Sequence, residues 1–476
     1  MSDPIRTFRV VSFGCKVNQT EGLALADRLR RLGLREAGPR RPADLVIINT
    51  CTVTAEADRQ GRQRLRRAAR RGAAVAVTGC GVHPAAGGEV LEGVADPLAA
   101  DADKDRLLAR LQDAGHLPAP GPADDRAPGN RAARRPSHIA RRPSQAAAES
   151  VADDVVASEG HHAGAPTEPP ADAASQPRSR AMLKVQDGCP GGCTYCIVPM
   201  VRPDVRSVPM RDVVRQAEAL VAEGFREIVL CGIHLGLYGT DLAPGAPAPT
   251  LVTLLARLLA VDGLGRLRLS SLSPAEVDDA LLGLMATEPR RLCPHLHLSL
   301  QSGDNEVLAR MGRPYTRSEF LRTVARVREA LDEPALTSDV LVGFPGESEE
   351  AFEHTLRTCR EAGFARMHVF PFSPRPGTRA AAMPGRVPAK AVRERCRRAA
   401  ELGEDLAAAY RRRLVGRDEQ VAVESVRRDG AAEGLAARYV RVRIPGPLPG
   451  GAGPCDLVAV RLVGVKGDVL QARPEA

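Results

Sequence analysis

Cys189, Cys193 and Cys196 lie in one tight run, Asp187-Gly188-Cys189-Pro190-Gly191-Gly192-Cys193-Thr194-Tyr195-Cys196, directly after the strand-like segment Met182 to Val185. The run opens a block in which strand and helix patterns alternate, so it fixes where a site can stand as well as what it can bind. Strands are read near Met182 to Val185, Glu227 to Leu230, Leu267 to Ser270, His295 to Leu300, Thr337 to Val342 and Arg366 to Phe370. Amphipathic segments such as Met210 to Glu223 and Arg317 to Ala330 supply the outer helices. Six such units predict a partial (β/α)6 barrel, with the cysteine loop at the carboxyl-terminal mouth where barrel sites are built. Thiolates are soft ligands that suit zinc or iron-sulfur clusters, and three of them on a [4Fe-4S] cube leave one iron open to a small molecule. A zinc knuckle without a visible fourth ligand and unrelated core cysteines are the plainer readings.

From Thr7 to about Ala114 short apolar strands again alternate with helical segments: Thr7 to Phe13, Glu21 to Leu32, Asp44 to Asn49, Ala55 to Arg71 and Ala73 to Thr78. The pattern predicts an open α/β domain with a mainly parallel sheet. Cys15, Cys51 and Cys80 each follow a strand by two residues. In a parallel sheet all three thiols would project from the carboxyl edge, where open α/β folds place ligands. That shared offset favours a second three-thiolate site over three independent core cysteines. Gly14, Thr50, Thr52, Gly79 and Gly81 flank these cysteines and suit tight turns.

Residues 115–178 run through Pro, Ala, Gly, Arg, Asp and Ser with few large apolar side chains, and predict a disordered linker. Its Arg131 to Arg142 stretch and the pair His161-His162 read as solvated. Pro388 to Tyr410 reads as a long Arg-rich helix with the proline in its first turn. Glu419 to Ser425, Tyr439 to Ile444, Asp456 to Val463 and Asp468 to Ala472 then read as strands of a small β-barrel. The expected domains are 5–114, the linker 115–178, the barrel with its closing helix 179–410, and the terminal β domain 411–476.

The net charge of +9 favours an anionic partner, nucleic acid first, although nearly every basic residue is Arg in a chain also rich in Ala, Gly and Pro. Aromatic residues are 3% with no Trp, which argues against recognition by extensive base stacking. Tyr439 beside Arg438 and Arg441 reads as a barrel-core residue more readily than as a stacking platform. The eleven cysteines fit metal ligation in a reducing compartment better than a disulfide framework. No stretch approaches the ~18 consecutive apolar residues of a membrane span, and Met1 to Val10 has no apolar signal core, so a cytoplasmic protein without a membrane partner is expected. Cys231, Cys293, Cys359, Cys396 and Cys455 lack clustered spacing and read as structural.

The Cys-x3-Cys-x2-Cys spacing resembles that of the radical S-adenosylmethionine (SAM) superfamily. Within the N-terminal domain, Gly14-Cys15-Lys16-Val17-Asn18-Gln19-Thr20-Glu21, Asn49-Thr50-Cys51-Thr52-Val53 and Thr78-Gly79-Cys80 are similar to the signatures of its methylthiotransferase subfamily. The Lys16-Val17-Asn18-Gln19 stretch resembles the branch acting on threonylcarbamoyladenosine in tRNA. Further blocks, His295 to Gly303, Met311 to Tyr315, Asp339 to Glu347 and His368 to Ser373, also look like that family, and the terminal β domain resembles its RNA-binding TRAM module. Departures are Pro203 after Arg202 where Gly is common, Cys231 for a usual Thr, Ser299 for a usual Pro, and His234 for a frequent Asn.

The resemblance implies two [4Fe-4S] clusters, one on Cys189, Cys193 and Cys196 with SAM on its open iron, the other on Cys15, Cys51 and Cys80. It implies methylthiolation at C2 of the modified adenosine next to the anticodon, with tRNA as substrate and a flavodoxin or ferredoxin as electron donor. Strand-end residues Gly232, Ser270, Gln301 and Asp339 are the expected SAM contacts, against the reading that they only close strand ends. His295 and His297 share one strand face, which is either the barrel interior or its helix-covered exterior. An isopentenyladenosine tRNA or a ribosomal-protein aspartate is the alternative acceptor, and a zinc-braced, non-catalytic RNA-binding protein the alternative of another class.

Overall fold

The computed structural model describes residues 5–38, 41–52, 55–86, 97–118, 179–242 and 248–475. Most of the expected linker, including 131–142 and 161–162, and Val53 of the second cysteine stretch lie outside the described residues.

The N-terminal unit is a five-stranded sheet of order β2-β1-β3-β4-β5, parallel throughout. Its elements are β1 (Thr7–Ser12), α1 (Lys16–Arg31), β2 (Arg35–Glu36), β3 (Leu45–Thr50), α2 (Ala55–Arg70), β4 (Ala74–Gly79), β5 (Ala99–Asp101) and α3 (Lys104–Asp113). Every residue of β3 is buried, as a central parallel strand covered on both faces requires. Helix α1 starts five residues earlier than its apolar pattern suggests, because Cys15 serves as its N-cap.

The central unit follows the expected six-strand plan. Its elements are β6 (Ala181–Asp187), α4 (Val198–Val201), β7 (Arg206–Ser207), α5 (Met210–Ala222), β8 (Glu227–Gly232), α6 (Leu251–Leu259), β9 (Arg266–Leu269), β10 (Ser271–Leu272), α7 (Asp279–Thr287), β11 (His295–Leu298), α8 (Asn305–Arg310), α9 (Arg317–Ala330), β12 (Ala335–Val342), α10 (Glu349–Ala362), β13 (Arg366–Pro371) and α11 (Ala389–Leu414). The strands form two sheets, β7-β6-β8-β9 and β10-β11-β12-β13, parallel except for the short β7. The third expected strand, Leu267 to Ser270, is β9, and after the break at Ser270 the two-residue β10 joins the other sheet. Leu183, Ile228, Leu230, Leu267, Leu296, Leu298 and Val340 face the helices in one apolar core. Their alternate neighbours line the concave side. Pro388 is the N-cap of α11 rather than a first-turn residue, its ψ of 139° being extended rather than helical.

The terminal unit is a closed barrel, β14-β15-β16-β18-β17, of β14 (Asp418–Val426), β15 (Ala432–Ala436), β16 (Arg441–Ile444), β17 (Leu457–Lys466) and β18 (Val469–Pro474). Strand β15 is an addition to the four expected. The barrel packs against the amino-terminal ends of the central strands. Arg266 and Arg268 donate to the carbonyls of Gln420, Leu435, Ala436 and Ala437, and Arg438 of the barrel donates to Asp332 O and Glu333 O just before β12. No helix among the described residues is long and apolar enough to cross a membrane.

Candidate functional site

Strands β1, β3 and β4 are neighbours, and their ends carry Cys15, Cys51 and Cys80. Register pairs Ser12 with Asn49 and Asn49 with Thr78, so Cys51 and Cys80 share one offset and Cys15 stands one residue farther out. Gly14 corrects for that step with a φ of +82°, a conformation glycine adopts without strain. The space of its missing side chain is filled by Cys51 Sγ, which a Cβ at position 14 would overlap. Gly79, at φ +93°, likewise gives way to the Thr50 carbonyl.

The amide of Asn18 ties these strand ends together. Its Nδ2 donates to Phe13 O at 2.8 Å, Thr50 O at 3.1 Å and Asn49 O at 3.2 Å, while Asn49 Nδ2 returns a bond to Asn18 O at 2.6 Å. Thr50 Oγ1 donates to Thr78 O and accepts from Gly81 N, linking the Cys51 and Cys80 turns.

The later cysteines stand on a loop locked from several sides. Gly188 at φ +78° passes against the Asp204 carbonyl, Cys189 N donates to Arg202 O at 3.0 Å, and Thr194 N donates to Met311 O at 2.9 Å. Gly312 packs on Gly192, which brings Arg313 Nη1 to 3.2 Å from Cys193 Sγ. Cys189 Sγ lies 3.4 Å from both Gly191 N and His234 Nδ1, and His234 Nε2 pairs with Glu276. Burial alone would raise the Cys189 thiol, but those two bonds outweigh it and lower it. Burial pushes Cys196 up to about 12, with the neighbouring Cys193 and Cys189 adding to it.

One residue joins the two cysteine sets. The backbone oxygen of Arg202 receives Cys189 N, and its Nε donates to Cys80 Sγ at 3.4 Å. The same guanidinium pairs with Glu21 of α1 and Asp187 of β6, and Glu21 also holds Lys104 and Lys184. Burial opposes ionisation of Glu21, but the bond from Arg202 and the surrounding cations hold its carboxyl well below the usual range.

Thr337 and Asp339 make the concave side polar along β12, which settles where His295 and His297 point. Both lie 3.1 Å from Thr337 Oγ1, and His297 Nε2 lies 3.3 Å from Asp339 Oδ2. His368 of β13 meets His297 edge-on, with ring centroids 6.2 Å apart. Tyr439 reaches in from the terminal barrel and stacks on His295 at 4.4 Å, with Arg268 over its ring. It is therefore an inter-unit contact as well as a barrel-core neighbour. The charge of Lys16, next to Cys15, acts on His295, Asp339, His368 and Tyr439.

Of the four expected SAM contacts, Gly232 ends β8, Ser270 follows β9 and Gln301 lies past β11, whereas Asp339 sits inside β12 rather than at its end. Gly232 N donates to Ser270 Oγ at 3.4 Å, and Gln301 N donates to Asp339 O at 2.9 Å. Gln301 holds φ at +65°, and its buried Oε1 receives no hydrogen bond among the described residues. Cys231, Cys293 and Cys359 are buried, and Cys396 and Cys455 half-buried. Spacing alone gave no signal for Arg202, Arg313, Glu21 or Asn18, whose roles arise from contacts between distant segments.

The donor sets suit iron-sulfur clusters. Each is three soft thiols on tight turns, with a backbone N–H and a guanidinium within hydrogen-bond distance of sulfur, the contacts that tune a cluster bound there. Among the described residues no three His, Cys, Asp or Glu groups converge to hold a single ion.

Residues 183–359 match the Radical SAM superfamily, and residues 7–93 match Uncharacterized protein family UPF0004. The threonylcarbamoyladenosine tRNA methylthiotransferase MtaB of Thermotoga maritima is 33% identical over 92% of this chain and 91% of its own length. The tRNA-2-methylthio-N(6)-dimethylallyladenosine synthase of Frankia casuarinae is 34% identical over 98% of this chain and 83% of its own. Among solved structures, the radical SAM methyltransferase TsrM of Kitasatospora setae aligns with a TM-score of 0.50 at 16% identity, covering 79% of this chain and 74% of that one, a likeness of fold.

Proposed function

The chain belongs to the radical-SAM methylthiotransferases, and from that premise we propose that it is a tRNA-modifying enzyme adding a methylthio group at C2 of N6-threonylcarbamoyladenosine beside the anticodon. In this reading Cys189, Cys193 and Cys196 hold the SAM-binding [4Fe-4S] cluster, and Cys15, Cys51 and Cys80 hold a second. The observation that carries it is Arg202, whose backbone oxygen accepts from Cys189 N and whose Nε donates to Cys80 Sγ, so that one residue touches a cysteine of each set. When bound, the clusters and SAM supply the radical that an unactivated aromatic C–H demands, together with the methyl and sulfur.

The chain's own residues hold and orient. Arg202 and Arg313 offset thiolate charge, and Asn18 fixes the spacing of the N-terminal turns. Gly232, Ser270, Gln301 and Asp339 are assigned to SAM, with the unbonded Gln301 oxygen as an acceptor for it. Relatives named for either modified adenosine are equally similar overall, so the acceptor rests on the chamber. Lys16 supplies a cation and His297 and His368 supply polar ring nitrogens to its wall, which suits the carboxylate of a threonylcarbamoyl group and opposes burial of a bare prenyl chain.

Nucleoside mass spectrometry on a deletion strain tests the reading. Wild-type complementation should restore the methylthio form of threonylcarbamoyladenosine, and neither Cys193→Ala nor Cys51→Ala should. Anaerobically purified wild type should carry about eight irons and each variant about four. Loss of the methylthio-isopentenyl form instead would move the acceptor to the other branch, and stoichiometric zinc would end the enzymatic reading.

A further inference from the structure

The terminal barrel sits at the amino-terminal ends of the central strands, whereas both cysteine sets stand at the carboxyl-terminal ends. A polyanion held by β14–β18 alone would be gripped at one end of the molecule and react at the other. The carboxyl-terminal end has its own features for holding phosphate.

A cavity of about 290 Å³ opens there between α2 and the turn after β13, lined by Asp58, Arg62, Ser373, Arg375 and Ala381 with two prolines. Arg375 is only 6% exposed. Its Nη1 pairs with Asp58, while Nε and Nη2 are buried without a hydrogen-bond partner among the described residues. Those two nitrogens form one edge of the guanidinium, the edge that meets two oxygens of a phosphate side-on. Buried N–H groups of a cation are rarely left unmatched, so a ligand oxygen is the natural complement. Asp58 also receives Thr52 Oγ1 at 3.5 Å, which places the cavity one residue from Cys51. From it, α2 carries Arg59, Arg62, Arg64, Arg66, Arg67 and Arg70, against Glu56 and Asp58 as its acidic residues. Arg59, Arg66, Arg67 and Arg70 are exposed.

We propose that the Arg375 cavity and the arginine face of α2 form a second RNA seat, binding backbone phosphates of the substrate at the mouth of the chamber. It rests on the reading of the substrate as tRNA. One phosphodiester enters the cavity and bonds Arg375 Nε and Nη2, and the flanking phosphates follow α2. Such contacts position the strand without reading its sequence.

Equilibrium binding of the holoenzyme to tRNA across a series of KCl concentrations tests it. Arg375→Gln should weaken binding and reduce the slope of log K against log salt by about 1. The triple variant Arg66→Gln, Arg67→Gln, Arg70→Gln, made on the exposed face away from the Asp58 pair, should reduce it further. Both losses should be the same for tRNA with and without the modified adenosine. Arg375→Lys should restore only part of the affinity, because an ammonium lacks the two-nitrogen edge. Wild-type affinity and slope in either Gln variant, at unchanged iron content, would overturn the proposal. Failure of wild type to bind tRNA at all would instead overturn the substrate reading beneath it.

Discussion

Glu227 is the residue on which the floor of the chamber depends. It is fully buried between Arg266 and Arg268, accepting from their Nε atoms at 2.7 Å each, and both guanidinium groups spend their remaining N–H groups on carbonyls of the terminal barrel. Burial opposes its ionisation, but Arg268 and Arg266 outweigh that and lower it. Removing the anion leaves two buried cations uncompensated, so Glu227→Gln should cost about 3–5 kcal/mol, measurable as a loss in anaerobic denaturant titration. Lys16 is a residue of a different kind, since little in the fold rests on its charge. If it faces the substrate carboxylate, Lys16→Met should raise KM for threonylcarbamoyl-modified tRNA about tenfold, the loss of one charge-assisted hydrogen bond. Iron content should stay unchanged; an unaltered KM would remove Lys16 from the acceptor site.

At the level of elements, the turn after β1 decides whether three thiols can share a cluster. Gly14→Ala places a methyl where Cys51 Sγ lies and asks an L-residue to hold a φ of +82°. The left-handed backbone alone costs roughly 1–2 kcal/mol. The variant should therefore keep the iron of the later loop and lose about four irons from the earlier one, as counted by iron analysis. The parallel sheet and the carboxyl-edge placement of Cys15, Cys51 and Cys80 were legible because strand periodicity and cysteine offset are local features of the chain. The six central strands were legible for the same reason. Strand β15 was not, since Ala-Glu-Gly-Leu-Ala has no β-branched or aromatic residue and is held as a strand by its neighbours Val421–Val423 and Arg441–Ile444. Nor was the break at Ser270, which changes the course of the sheet without changing its pattern. Arg202, Arg313 and Arg375 were out of reach because Cys80, Cys193 and Asp58, the partners that give them these roles, lie 120 residues or more away in sequence, and an Arg-rich chain gives no one arginine prominence.

Across the whole molecule, two buried charge clusters fasten three units around one polar interior: Glu21 with Arg202, Lys184 and Lys104 on one side, Glu227 with Arg266 and Arg268 on the other. The interior between them makes stability depend on pH in two stages. Burial, only partly offset by Asp339, pushes His368 down to about 4, so the folded protein keeps it neutral where an unfolded chain would protonate it. The unfolded state then binds the extra proton between its ordinary value of about 6.5 and about 4, and stability falls as pH falls through that window, levelling below it. Glu21 acts lower down. Its depressed carboxyl contributes fully above the ordinary value near 4.5 and loses that contribution as pH falls further. Thermal melts of the anaerobic holoenzyme should show a decline from pH 7 to 5 that His368→Gln abolishes. Glu21→Gln should lower the melting temperature at pH 7, where Arg202, Lys184 and Lys104 lose their shared anion, while leaving the His368 stage in place. A decline between pH 7 and 5 that survives His368→Gln would assign the upper stage to another group and remove the neutral His368 from the chamber wall.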